Sequence, residues 1–83
     1  MFTPFTIKGC SLELLKPGER GIVAFCKIPN EKCRQELIAM GISVGTSITI
    51  KEKSPTFQIE VNNITFSIDK EISCIIYVRI VDS

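Results

Sequence analysis

Eighty-three residues make one domain at most, and a chain this short buries only about 60–65% of its unfolded surface, so its core has to be dense. Hydrophobic residues at 45% and charged residues at 23% exclude disorder by composition, and a mean hydropathy of +0.26 implies a very aliphatic core or apolar surface kept for a partner. Ten basic residues against nine acidic give a net charge of +1, so bulk charge favours neither a nucleic-acid partner nor a membrane surface.

The chain opens with Met1-Phe2-Thr3-Pro4-Phe5, which has no basic stretch and no apolar run of a secretory signal. The expectation is a cytoplasmic protein. The longest apolar runs, Ile22 to Cys26 and Cys74 to Val78, are far short of the roughly 20 residues of a membrane span, so no direct membrane insertion is expected. Residues 1–10 lack periodicity and read as an N-terminal arm before a single domain over 11–83. Pro17-Gly18 marks a turn, proline setting φ and glycine supplying a positive φ. A first strand follows from about Arg20 to Lys27. Its residues Ile22, Val23, Ala24, Phe25 and Cys26 are apolar on both parities, which predicts cover on both faces.

Asn30 heads the one convincing helix. Its side chain can accept from the first free amides, and Glu31 sits near the positive end of the dipole. Cys33, Leu37 and Met40 recur at i, i+4 and i+7 as an inward stripe. Gly41 stands where a left-handed C-cap residue belongs, and Ile38 falls on the flank beside Arg34. Beyond it the pattern is β. Ile48 and Ile50 alternate with Thr49 and Lys51; Pro55 opens a turn; Phe57, Ile59 and Val61 alternate with Gln58 and Glu60. Asn62-Asn63 suits a tight hairpin, Ile64, Phe66 and Ile68 form the next inner face, Asp69 caps one helical turn, and Ile76, Val78 and Ile80 line a last strand. The whole predicts a mainly β fold, a small partly open barrel of about five strands with one helix inserted after the first.

Candidate chemistry is sparse. Histidine is absent, which excludes Ser–His and Cys–His dyads, and the acids are scattered at solvent-facing positions, so no enzyme activity and no catalytic residue is expected. The segment from Gly41 through Gly45 to Thr46 is one residue short of a phosphate loop, lacks its lysine and leaves a helix instead of opening one. Gly41 and Gly45 are therefore read as cap and turn. The cysteines Cys10, Cys26, Cys33 and Cys74 form no C-x-x-C pair; they read as small core hydrophobes, with no metal or cofactor site expected. A thiol site shared across a dimer through Cys26 and Cys33 stays open, as does weak homo-oligomerisation. Asn63-Ile64-Thr65 matches a glycosylation sequon, a chance match in a cytoplasmic chain. Lys51 and Lys53 read as a solvated sheet face, and Tyr77 with Arg79 on the outer parity of the last strand is the one hint of a nucleic-acid surface. The remaining candidate is Arg34, Ile38, Ile42 and Val44 around the helix end, an aliphatic patch with one arginine that suits protein docking. The alternative that Ile42 and Val44 plug the barrel mouth stands beside it.

Particular residues carry a resemblance. Leu12-x-x-Leu15-Lys16-Pro17-Gly18-Glu19-x-Gly21, then Arg34-Gln35-x-Leu37-Ile38-x-Met40-Gly41-Ile42-x-x-Gly45-Thr46, then Ser54-Pro55 and Ile68-Asp69-Lys70-Glu71 resemble, in this order, the FeoA family of bacterial ferrous iron uptake. Val44 stands where that family usually has proline, the loop after Pro55 is shorter and lacks Gly-Asp-Pro, and Asp69 replaces a common basic residue. The resemblance implies an SH3-like barrel with a helical insertion. It further implies a cytoplasmic accessory protein that acts, peripheral to the inner membrane, on the ferrous transporter FeoB and its G domain, with no nucleic acid as partner. The same barrel serves as the C-terminal domain of iron-dependent repressors, so the alternative it implies is an iron-responsive or metal-sensing regulatory module.

Overall fold

The computed structural model describes residues 9–80. Six strands, β1 (Gly9–Ser11), β2 (Arg20–Cys26), β3 (Ser47–Glu52), β4 (Phe57–Val61), β5 (Ile64–Ile68) and β6 (Ile76–Ile80), form one sheet in the order β1-β6-β2-β3-β4-β5. Every neighbouring pair is antiparallel. Among the described residues the end strands β1 and β5 do not pair, so the curled sheet stays open. Two helices complete the fold, α1 (Glu31–Ala39) and α2 (Lys70–Ile75), with a 3₁₀ turn at Leu12–Leu14.

The sequence accounts for most of these bounds. Asn30 Oδ1 accepts from the Cys33 amide at 2.9 Å and Asp69 Oδ1 from the Ile72 amide at 2.9 Å, so each helix begins where a short polar side chain satisfies a free donor. Gly18, at φ 92°, closes a turn in which the Glu19 amide donates to the Lys16 carbonyl. Asn62 and Asn63 take φ of 52° and 67°, the mirror-image turn whose twist suits a two-residue hairpin. Ile48, Ile50, Ile59, Ile76 and Val78 point inward and are fully buried together with Leu12 and Leu15. Extra residues at Ala24 in β2 and Lys51 in β3 shift the pairing register, and such bulges bend strands and deepen their twist.

Three expectations are corrected. Gly9 and Cys10, read as the end of an arm, pair with Arg79 and Val78 as part of β1, which makes six strands instead of about five; residues 1–8 of that arm lie outside the described residues. The outer face of β2 is open: Ile22 and Phe25 are exposed while Gly21 and Val23 are buried. Its residues are apolar on both parities because the outer set forms surface contacts, Phe25 stacking on Tyr77 at 4.7 Å between ring centroids. The single helical turn expected after Asp69 runs on to Ile75.

Candidate functional site

The helix end is built by backbone chemistry. The Gly41 amide donates to the Ile38 carbonyl at 3.0 Å and the Ile42 amide to the Leu37 carbonyl at 3.0 Å, with Gly41 at φ 74°. This pair of bonds is a Schellman motif, and it brings the residue after the glycine onto the side chain near the helix terminus. Ile42 therefore lies against Leu37 and is 5% exposed. Beyond it Thr46 Oγ1 accepts from the Ser43 amide at 3.0 Å and the Gly45 amide donates to the Val23 carbonyl at 2.8 Å. Gly45, at φ 95°, makes the turn that ties this loop to β2.

The four candidate residues thus divide. Ile42 is core, which corrects its reading as a contact residue; it forms the floor of the patch. Ile38 at 62% and Val44 at 71% exposed stand to either side of the Gly41 cap, and Val44 does not plug the barrel. Arg34 lies one turn before Ile38, exposed, and lines the same shallow groove as Ile28, Ile38 and Val44 over Leu37 and Ile42. Ile28 is a groove-lining residue absent from the sequence-based candidates, and its signal was legible: an aliphatic residue between the strand and the helix cap, with no periodic reason to be buried. Asn30 caps α1, and Gly41 and Gly45 hold the positive φ of the cap and the turn.

The outer-face pair of Tyr77 and Arg79 divides as well. Tyr77 lies under Phe25 at an interplanar angle of 5°, while Arg79 sits opposite Ile22 and is exposed. Phe57 and Phe66 are partly buried against the core. Lys53 donates to the Glu13 carbonyl and holds its ammonium 5.6 Å from the centroid of the Phe57 ring. Lys51 pairs with Glu60 at 3.7 Å.

All four cysteines are free thiols. Cys33 is 2% exposed, and burial, then the nearby carboxylates of Glu71 and Glu36, push its thiol up. Cys74 donates to Glu13 Oε1 at 3.1 Å, which, with burial, raises it as well. Burial raises Cys26, and burial with the charge of Glu19 raises Cys10. Each of these environments favours the protonated thiol over the thiolate, and Cys33 has almost no exposed surface. Among the described residues no three His, Cys, Asp or Glu side chains converge on one point, and no helix is long and apolar enough to cross a membrane.

A small half-open SH3-like barrel with one helical insertion and an aliphatic, arginine-bearing patch at the helix end is the class this geometry defines. A model of the FeoA domain matches residues 10–80, and the chain belongs to the FeoA family. It is 37% identical over 81 residues to a candidate Fe(2+) transport protein A of Leptolyngbya boryana, covering 94% of this chain and 96% of that one. A crystal structure of an iron uptake regulatory protein (FeoA) superimposes with a TM-score of 0.79 at 29% identity, over 88% of this chain and 97% of the other. T. acidophilum IdeR shares the fold alone, with a TM-score of 0.82 at 17% identity over 94% of this chain and 37% of that one.

Proposed function

We propose that this chain is a non-enzymatic, cytoplasmic accessory protein of ferrous iron uptake that docks on the membrane ferrous iron transporter FeoB through the helix-end patch. One observation carries the reading. Ile38 and Val44, aliphatic side chains on either side of the Gly41 cap, are more than three-fifths exposed while Leu37 and Ile42 beneath them are buried. Contiguous exposed aliphatics with one arginine are what a protein partner covers. Membership of an Fe(2+) transport family supports the transporter as that partner. A tagged protein incubated with detergent-solubilised membranes should retain the transporter. Arg34→Ala and Ile38→Ala should release it without unfolding the barrel. Unchanged ferrous iron uptake in a deletion strain at limiting iron would sink the proposal.

The second reading is an iron-responsive regulatory module, favoured by the fold shared with IdeR. Calorimetric titration with ferrous iron and a salt-dependent gel shift on duplex DNA test it, because phosphate binding must weaken steeply with salt.

A further inference from the structure

We infer that the helix-end patch is one half of a longer docking surface whose occupant is an acidic, aliphatic segment of a partner protein. The inference rests on the docking reading above and adds the chemistry of whatever docks. The groove does not stop at Val44. The Gly45 amide donates to the Val23 carbonyl at 2.8 Å and the Val23 amide to the Thr46 carbonyl at 2.9 Å, so the loop lies along β2. There Val44 lines a second groove with Ile22, Ile80 and Arg79. Ile22, exposed, faces outward opposite Arg79 in the β2–β6 register. An apolar belt therefore runs from Ile28 and Ile38 through Val44 to Ile22, with Arg34 near one end and Arg79 near the other. Arg20 precedes Ile22 by two residues on the same strand face, exposed. These are all the arginines of the chain.

Charge is sorted on this surface although the protein as a whole is nearly neutral. Among the described residues neither groove is lined by a carboxylate, whereas the groove of Glu36 and Asp69 against α2 holds carboxylates and no cation, and the one beside Glu13 and Asp69 sets Lys53 and Lys70 against them. Among the described residues the one ion pair is Lys51–Glu60, so Arg20, Arg34 and Arg79 are exposed without an acidic partner. A guanidinium presents its donors as a planar fork that fits a carboxylate, and such a pair strengthens when apolar neighbours exclude water. A second copy of this face would set arginine against arginine, which disfavours a two-fold dimer here. A lipid surface would meet the arginines but would not enter the helix-end groove floored by Leu37 and Ile42.

The test selects displayed random peptides on the immobilised full chain and measures the winners by fluorescence anisotropy. The expected consensus interleaves Asp or Glu with Leu, Ile, Val or Phe. Binding should weaken about tenfold between low and high salt, and at least about fivefold in Arg34→Ala, Arg79→Ala and Val44→Asp, each with an unchanged circular dichroism spectrum; Lys51→Ala should bind as the parent does. No consensus, a basic or neutral one, or binding that survives both arginine changes would overturn the inference. So would phosphatidylglycerol vesicles that capture the protein through the same arginines, or a dimer in light scattering that Val44→Asp abolishes. If the transporter does not bind the parent protein but the selected acidic peptides do, the partner proposed above is wrong and this surface chemistry stands.

Discussion

Truncating Ile42 and Ile38 to alanine removes the same atoms four residues apart, and the structure assigns them opposite costs. Ile42 is 5% exposed against Leu37, so Ile42→Ala loses its transfer free energy and leaves a cavity, about 2–5 kcal/mol. A chain of this length has about 4–12 kcal/mol of stability in total. Each kcal/mol moves Tm by about 4–8 °C, so the drop should reach about 10 °C or more. Ile38 is 62% exposed, which leaves about two-fifths of it covered, or about 0.6–1.2 kcal/mol of a full burial of 1.5–3. Alanine recovers several tenths of that as the better helix former. Ile38→Ala should therefore cost under about 1 kcal/mol and move Tm by only a few degrees, while weakening partner binding by about 1–2 kcal/mol. Guanidinium and thermal melts of both variants, beside the membrane pull-down, decide the matter. A Tm loss above about 10 °C for Ile38→Ala would refute the exposed patch, and an unchanged Tm for Ile42→Ala would refute the Schellman packing that separates the two.

Gly21→Ala would set a Cβ 2.7 Å from Val78 Cγ2 and 3.2 Å from the Arg79 carbonyl oxygen. A stiff β-branched neighbour cannot swing away, so about 1–3 kcal/mol of overpacking should outweigh the 0.5–1 kcal/mol that glycine costs in a strand. In urea melts the Gly21→Ala/Val78→Ala double variant should be more stable than the sum of the single changes requires. Asn30→Ala removes the acceptor for the Cys33 amide and should cost about 0.5–2 kcal/mol; Asn30→Ser should restore most of it in the same melts. The four thiols are raised in the folded state above their ordinary value of 9.0. Unfolded chains then lose thiol protons first, so this contribution is intact below about pH 9 and stability falls as pH rises beyond it. Melts across the alkaline range should show the slope, and Cys33→Ala should reduce it.

The local chemistry of the fold was legible before any coordinates. Asn30 and Asp69 announce helix starts because their short side chains accept from free amides. Gly41 and the Asn62-Asn63 pair announce positive φ, and the alternation of Ile48, Ile50, Ile59 and Val61 announces one buried face. Each of these is settled within a few residues of chain. The fate of Ile42 was also within reach, since a glycine cap carries the following aliphatic residue back onto the helix. Other features depended on partners distant in sequence. Gly9 and Cys10 become a strand because β6, some seventy residues on, offers an unpaired edge. Ile22 and Phe25 are surface, not core, because the loop after α1 meets β2 only along one side, at Val23 and Ile22, and leaves the outer face exposed, a choice no periodicity records. The belt from Ile28 to Ile22 exists because two hydrogen bonds tie the Gly45 loop to Val23. Burial on one face is a property of a segment, whereas exposure on the other is decided by what else the folded chain has left to cover it.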